Sequence, residues 1–316
     1  MADEIGVSVI CNAYNHGRYI EETISSILEQ KTEFAIELLI HDDASTDNTA
    51  EIIHSYERRF PDIVRPMYQE ENQYSKNIDI LQMYQYPRVR GEYIAFCEGD
   101  DYWNDPLKLQ KQYDAMEKNE DVDICAHAAH VINNNEKHGI KDIEPGTKDT
   151  IFSLAEVISG GGSFVATNSL FLRTDMLRSH PDLIKRCGLD YAIQIYGSVR
   201  GGMLYLADKM STYRYMVKDS WSDRVDRDLG YKEKQLKIVK KLLDQVDEYT
   251  DHKYRTEIDT VISRMKFNDL IDAGEYRKAR REQKMYFKQC PFRDKVYVYF
   301  MDCCPWLVSV IKRILR

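Results

Sequence analysis

Short β-rich apolar runs that break off into polar loops, each followed by a segment of helical periodicity, constrain the fold of this chain more than any other feature. Val7 to Cys11 is the first run, and Ile20, Ile24, Ile27 and Leu28 then recur at the i, i+4, i+7, i+8 spacing of a helix with one buried face. The pattern returns with Leu38 to His41, the polar loop Asp42 to Thr49, and a helix whose N-cap is Asn48, with Glu51 three residues on in the manner of a capping box. A weaker strand near Val64 to Tyr68, a helix around Ile78 to Tyr84 and the strand Tyr93 to Cys97 follow. Asp105 and Pro106 then mark a helix start, as N-cap and N1, ahead of the apolar face Leu109, Tyr113 and Met116. Such alternation predicts an α/β fold with a mostly parallel sheet flanked by helices. Ligands of these sheets bind beyond the carboxyl ends of the strands, where the loops Asn12 to Gly17, Asp42 to Asp47 and Glu98 to Asp101 all fall.

From Val122 the texture changes. Val122 to Ile132 reads as a strand, and Asn133 to Thr150, polar with Gly139, Pro145 and Gly146, as a loop or flap. Gly160 to Gly162 precede a strand-like run, Ser163 to Arg173. A helix near Tyr191 to Val199 and short strands around Met203 to Tyr215 come next, and beyond Trp221 the pattern is helical. The length, 316 residues, favours about two domains.

The formal net charge of −8 argues against a nucleic-acid binder, whose footprint should be basic. Its distribution is uneven: from Arg277 onward eleven basic residues face three acidic ones, so this tail carries +8 and the remainder −16. The seven cysteines form no C-x-x-C pair, and Cys11, Cys97 and Cys125 lie in apolar runs, which favours a reducing cytoplasm and argues against zinc. No secretory leader is legible at Met1 to Ile5, and no apolar run approaches the roughly 20 residues needed to span a bilayer.

The adjacent carboxylates Asp100 and Asp101 close the strand Tyr93 to Cys97. Like charges about 4 Å apart repel by roughly 4 kcal/mol near a protein surface, so a cation between them is the natural counterpart. A hard divalent metal on a diphosphate fits that requirement. With Val7 to Ile10 leading into Asn12 to Asn15, with Asp42 to Asp47, and with Tyr93 to Trp103 before Asp105 and Pro106, the chain resembles the family 2 glycosyltransferases of the GT-A (Rossmann-like) fold. The likeness is specific over the first 130 or so residues and looser over the next ninety.

That resemblance implies a GT-A catalytic domain over residues 1–222, with a nucleotide-sugar half (1–125) and an acceptor half (126–222), then a helical C-terminal region, 223–316. It implies that Asn12, Ala13 and Tyr14 line the base pocket, and that Asp43, with Asp42 behind it, accepts a hydrogen bond from a ring N–H such as that of uracil. Asp47 is better read as a helix cap. Asp101 would be the direct ligand of Mn²⁺ or Mg²⁺, with Asp100 shared between metal and ribose. Relatives often carry Asp where Glu98 stands, which weighs against a nucleotide contact for Glu98 itself. Asp190, before a helix, matches the acidic catalytic residue and would take the proton of an acceptor hydroxyl during inversion, although it would serve equally well as an N-cap. Arg214, with Lys218, Ser220 and Trp221, would hold the pyrophosphate, or Arg214 would form a surface ion pair; Met216 stands where relatives often have His. His127 and His130 receive no role. Acceptor specificity would lie in Gly160 to Ser169 and in the flap.

The partners so implied are a nucleoside-diphosphate sugar, expected to be a UDP-sugar, and a hydroxyl on a cell-surface glycan or lipid-linked saccharide. Trp306, Leu307, Val310, Ile311, Ile314 and Leu315 recur at helical spacing beside Lys312, Arg313 and Arg316. This amphipathic tail would rest on an anionic membrane, or pack on the protein or on a second subunit of a homo-oligomer. A nucleotidyltransferase is disfavoured, because the loop Asn12 to Arg18 has one Gly where a triphosphate-binding loop needs several. A non-catalytic sugar-nucleotide binder stays open.

Overall fold

The computed structural model describes residues 5–133, 141–179, 190–218 and 220–303. Gly188, Leu189, part of the flap (134–140) and the terminal amphipathic segment Trp306 to Arg316 lie outside the described residues. Two compact units divide the chain: residues 1–157 with 161–234, and residues 158–160 with 235–316.

In the first unit, β1 (Ile5–Ala13), α1 (Ile20–Leu28), β2 (Ala35–Asp42), α2 (Thr49–Arg59), β3 (Val64–Tyr68) and β4 (Tyr93–Phe96) follow the expected alternation. β1 pairs in parallel with β2 on one side and β4 on the other, and β2 pairs in parallel with β3. This central position buries both faces of β1, so Val7, Val9, Ile10 and Cys11 are all fully enclosed. Ile20, Ile24 and Ile27 bring α1 onto the same core, and Ile53 and Tyr56 bring α2.

The remaining strands, β5 (Tyr102–Trp103), β6 (Ile124–Asn133), β7 (Thr150–Phe152), β8 (Phe171–Arg173) and β9 (Met203–Tyr215), complete the sheet. Its order is β3-β2-β1-β4-β8-β6-β9-β5, with β7 also on β9. β8 runs antiparallel between β4 and β6, while β6 and β9 are parallel. The helices here are α3 (Lys108–Glu117), α4 (Leu154–Gly160), α5 (Thr174–Ser179), α6 (Asp190–Gly197) and α7 (Trp221–Arg227).

Some local expectations change. The helix expected around Ile78 to Tyr84 is a single π turn, Leu81–Gln85, running into a 3₁₀ turn, Tyr86–Arg88. Pro87 has no N–H to continue an α-helix there. α3 begins at Lys108, because the Asp105 carboxylate and carbonyl accept the N–H groups of Leu107 (2.8 Å) and Lys108 (3.2 Å) and make a turn of the expected helix start. The short strands around 203–215 are one strand, irregular in register opposite His127 to Ala129.

The second unit is helical. α8 (Leu229–Tyr249), in which the division falls, is followed by α9 (Arg255–Asp272), α10 (Tyr276–Glu282), α11 (Lys284–Gln289) and α12 (Phe292–Cys303). Phe267, Ala279, Phe287, Cys290 and Val298 form a small core of their own. No described helix is long and apolar enough to cross a membrane.

Candidate active site

Parallel pairing puts the carboxyl ends of β1, β2 and β4 on one edge, and hydrogen bonds stitch the three loops that leave it. Asp43 N donates to Ala13 O (2.9 Å) and Gly99 N to Asn12 O (2.9 Å), so the β1 loop is clasped from both sides. Asn15 takes a left-handed backbone conformation (φ 56°) that aims its side-chain oxygen at Thr46 N (2.8 Å). Gly99 is required by close approach. A Cβ there would stand 2.7 Å from His16 Nδ1 and 3.1 Å from Asn12 O.

The acidic loop is anchored from below. The Thr23 hydroxyl on α1 lies 2.6 Å from Asp101 O and 3.1 Å from Gly99 O. Asp101 is enclosed, 2% exposed: Oδ1 accepts from Arg214 N (2.9 Å) and Oδ2 from Asn168 Nδ2 (3.0 Å). Asn168 also accepts from Ser211 Oγ (2.7 Å) and donates to Thr212 O (3.1 Å), so one buried amide ties the loop to β9. Among the described residues, the carboxylate of Asp100 has no such pair of donors. Its Oδ2 lies 3.9 Å from His16 Nε2, beyond a hydrogen bond. The freer oxygens therefore belong to Asp100, where the sequence pointed to Asp101 as the direct ligand.

Arg214 also holds this loop. Its guanidinium is 7% exposed, donates to Asp100 O (2.6 Å), pairs with Glu22, and lies over the rings of Tyr102 (4.6 Å) and Tyr19 (5.1 Å). These contacts clamp the acidic loop between α1 and β9, with the Glu22 partner at the surface as in the expected ion pair.

Asp42 accepts from the backbone and hydroxyl of Ser45, and burial raises its carboxyl against those bonds. Asp43 accepts from Gln73 N (2.7 Å) and Tyr74 N (3.0 Å), holding the loop that follows β3 beside the β1 loop. Ala44 between them and Ser45 has φ 62°, a strained value for a residue with a Cβ. Asp47 accepts from Gly17 N (2.9 Å) and Thr49 N (3.0 Å), as a helix-start residue does, while Asn48 makes no side-chain cap bond. Tyr14 is half-buried on the β1 loop. Gln85 donates to Asn12 Oδ1 (3.1 Å), Cys11 O and Leu39 O from beneath the sheet edge.

Glu98, given no contact by the sequence, sits at the centre of the charge. Burial and then Asp100 push its carboxyl up to about 8, Asp190 adds to the rise, and hydrogen bonds from Asn12 oppose it. Burial and Asp100 likewise raise Asp101. Asp190 opens α6, with Oδ2 accepting from the Thr167 hydroxyl (2.5 Å) and Oδ1 from Tyr191 N (2.7 Å). Burial raises its carboxyl too. Residues almost a hundred positions apart thus share one electrostatic environment, in which several carboxylates are uncomfortable as anions. Thr23 carries no sequence signal as a site residue, and Thr167 and Asn168 fall only within the broad acceptor-side segment Gly160 to Ser169, not as individual residues. They look like ordinary polar positions in a helix and a loop.

His127 is fully buried, with its pKa driven down by burial, and His130 pairs with Asp142; neither is in this cluster.

Oxygen-only donors of this kind suit Mg²⁺ or Mn²⁺. Among the described residues no three His, Cys, Asp or Glu side chains converge on a metal-holding geometry. The protein set fits a cation that takes one or two carboxylates from the chain and the rest of its ligands from substrate phosphates.

The sequence pattern of "Glycosyl transferase family 2" matches residues 8–177, which span every loop of this cluster except Asp190 and Arg214. An uncharacterized protein of Mycobacterium tuberculosis, Rv1520, is 32% identical over 225 residues, 68% of this chain and 60% of its own length. The chain thus spans about 60% of the length of that relative. TuaG of Bacillus subtilis, a putative teichuronic acid biosynthesis glycosyltransferase, is 37% identical over 110 residues, 35% of this chain and 41% of its own. The structure of S. aureus TarS 1–349 in complex with UDP-GlcNAc is similar over 90% of this chain and 79% of that one, with a TM-score of 0.61 at 15% identity, a likeness of fold. With the family pattern covering more than half of its length, the chain belongs to glycosyl transferase family 2.

Proposed function

We propose that this chain is a GT-A glycosyltransferase that moves a sugar, with inversion, from a UDP-sugar to a hydroxyl of a cell-surface glycan, assisted by Mn²⁺ or Mg²⁺. The observation that carries the reading is the clasping of the loops after β1, β2 and β4 at the carboxyl edge of the sheet, with Asp101 tied to Asn168 and the Arg214 backbone and the Asp100 carboxylate beside His16. The relatedness to TuaG supports the glycan class, and the likeness to a fold that holds UDP-GlcNAc supports the donor class.

In this reading Asn12, Ala13 and Tyr14 receive the base on one side, with Asp43 and, behind it, Asp42 shaping the other. Asp100 would hold the cation, and Asp101, Thr23, Asn168 and Arg214 keep the Asp100 loop in place. A bound divalent ion would offset negative charge on the departing diphosphate as a Lewis acid. Asp190 takes the proton of the acceptor hydroxyl as that oxygen bonds to the anomeric carbon and the bond to the diphosphate oxygen breaks. Its raised carboxyl is a better base than an exposed aspartate, and Thr167 and Tyr191 N fix its direction.

A thermal-shift panel of UDP-, GDP- and dTDP-sugars with Mn²⁺ or with a chelator tests the donor and the metal. A donor at 100 times its dissociation constant adds about 2.7 kcal/mol of stability, readily seen as a shifted melting temperature. Stabilisation by UDP-sugars that the chelator leaves unchanged would exclude the metal, and stabilisation by GDP-sugars alone would exclude the donor assignment.

A further inference from the structure

The helical unit ends, within the described residues, on a helix whose outward side is apolar. Phe292 is 83% exposed, and Val296, Tyr299 and Phe300 are each between 40% and 49% exposed. At about 100° per residue these four and the exposed Cys303 fall within an arc of roughly 100°, the width of a single helix face. The opposite side packs through Val298 and Met301, while Tyr299 at the edge of the arc also lies against Phe287 and Arg280 and the exposed Tyr297 stands outside the arc. Arg293 and Lys295 lie on the two borders of the exposed arc. Arg281, Lys284, Lys288 and Arg293 have no carboxylate partner among the described residues, whereas Arg277 and Arg280 share Asp302 and Lys278 pairs with Glu275. The residues after Cys303 continue the composition in sequence, with Trp306, Leu307, Lys312, Arg313 and Arg316.

We propose that this face of Phe292–Cys303 is a docking surface for an anionic lipid bilayer, with its aromatic side chains in the headgroup boundary and the bordering Arg and Lys on acidic headgroups. Charge decides between occupants. A second copy of this chain would set the basic surface of one helical unit against the same surface of another, and like charges oppose that contact. An anionic leaflet attracts the basic side chains, and aromatic rings with a polar tip or edge suit its interface. No described helix can span a bilayer, so the attachment is to the surface. This inference stands on the helical unit alone and does not depend on the donor or acceptor of the transfer reaction.

The test is co-sedimentation of the full chain with phosphatidylcholine vesicles containing about a third phosphatidylglycerol, against pure phosphatidylcholine. Binding to the anionic vesicles only, weakening as salt is raised, is expected. The double variant Phe292→Ser/Phe300→Ser should bind about tenfold or more weakly, from the loss of two buried rings. Arg293→Glu should bind at least about fivefold more weakly for the lost basic charge alone. Both variants alter exposed side chains, so circular dichroism and melting temperature should be unchanged. Failure to bind anionic vesicles overturns the proposal. So does binding that the double variant leaves intact, which would place attachment elsewhere in the chain. A homodimer that the double variant dissociates, in the absence of vesicle binding, would give the face to a second copy and also overturns it.

Discussion

Lys108 offers the sharpest test of the packing beneath the site. Its side chain is fully buried, its Nζ lies 2.7 Å from Gln112 Oε1 and 4.1 Å from the centre of the Trp103 ring, and no carboxylate reaches it among the described contacts. Burial lowers its pKa from 10.5 to about 7, with the Cys97 and Cys125 thiols opposing the shift. Below about pH 7 the native state must hold a buried ammonium, and its cost is present in full. Between there and the unfolded value the unfolded chain binds a proton that the native chain does not, so this residue makes stability rise with pH. Lys108→Met removes the ammonium at nearly constant volume. It also leaves Gln112 Oε1 without its donor, a pH-independent loss of about 1–3 kcal/mol. The linkage relation makes the variant's stability relative to wild type fall by about 3 kcal/mol between about pH 6 and pH 9. Urea unfolding followed by tryptophan fluorescence, to which the enclosed Trp103 contributes, measures the difference at each pH. A difference that stays flat across that interval would refute the buried, deprotonating lysine.

Three further substitutions probe the site. Asp190→Asn keeps the shape but removes the base, so donor binding by calorimetry should be unchanged while transfer falls about 10²–10⁴-fold; transfer at the normal rate would remove the assignment. Thr23→Val leaves the carbonyls of Gly99 and Asp101 without their hydroxyl donor and should cost about 1–3 kcal/mol in urea unfolding, with weaker donor binding. Gly99→Ala drives a methyl to 2.7 Å from the His16 ring and should destabilise by about 1–3 kcal/mol, read from the same titration.

Much of this was readable from the residues. The apolar runs and helical spacing of Val7 to Leu28 and Leu38 to Arg59 gave strands and helices in their observed order, because burial on both faces of a parallel strand leaves a continuous apolar run. The turns were less legible. Asp105 and Pro106 have the composition of a helix start, yet the chain spends them on a turn before Lys108. Ser163 to Arg173 has the composition of one strand but supplies a 3₁₀ turn holding Asn168 and only the short β8.

By itself, then, the sequence determined the sheet, the edge on which its polar loops gather and the acidic residues found there, since all three follow from local periodicity and from where apolar runs stop. Tertiary structure alone decided how each acid is held. Asp100 and Asp101 are neighbours of identical chemistry, and only the arrival of Asn168 and the Arg214 backbone from distant elements satisfies one and leaves the other free. Glu98 and Asp190, far apart in the chain, feel each other only in the folded chain, where the Thr167 hydroxyl of the 3₁₀ turn before β8 holds Asp190. Donor geometry and electrostatic neighbourhood depend on contacts between remote segments, and a linear pattern does not encode them.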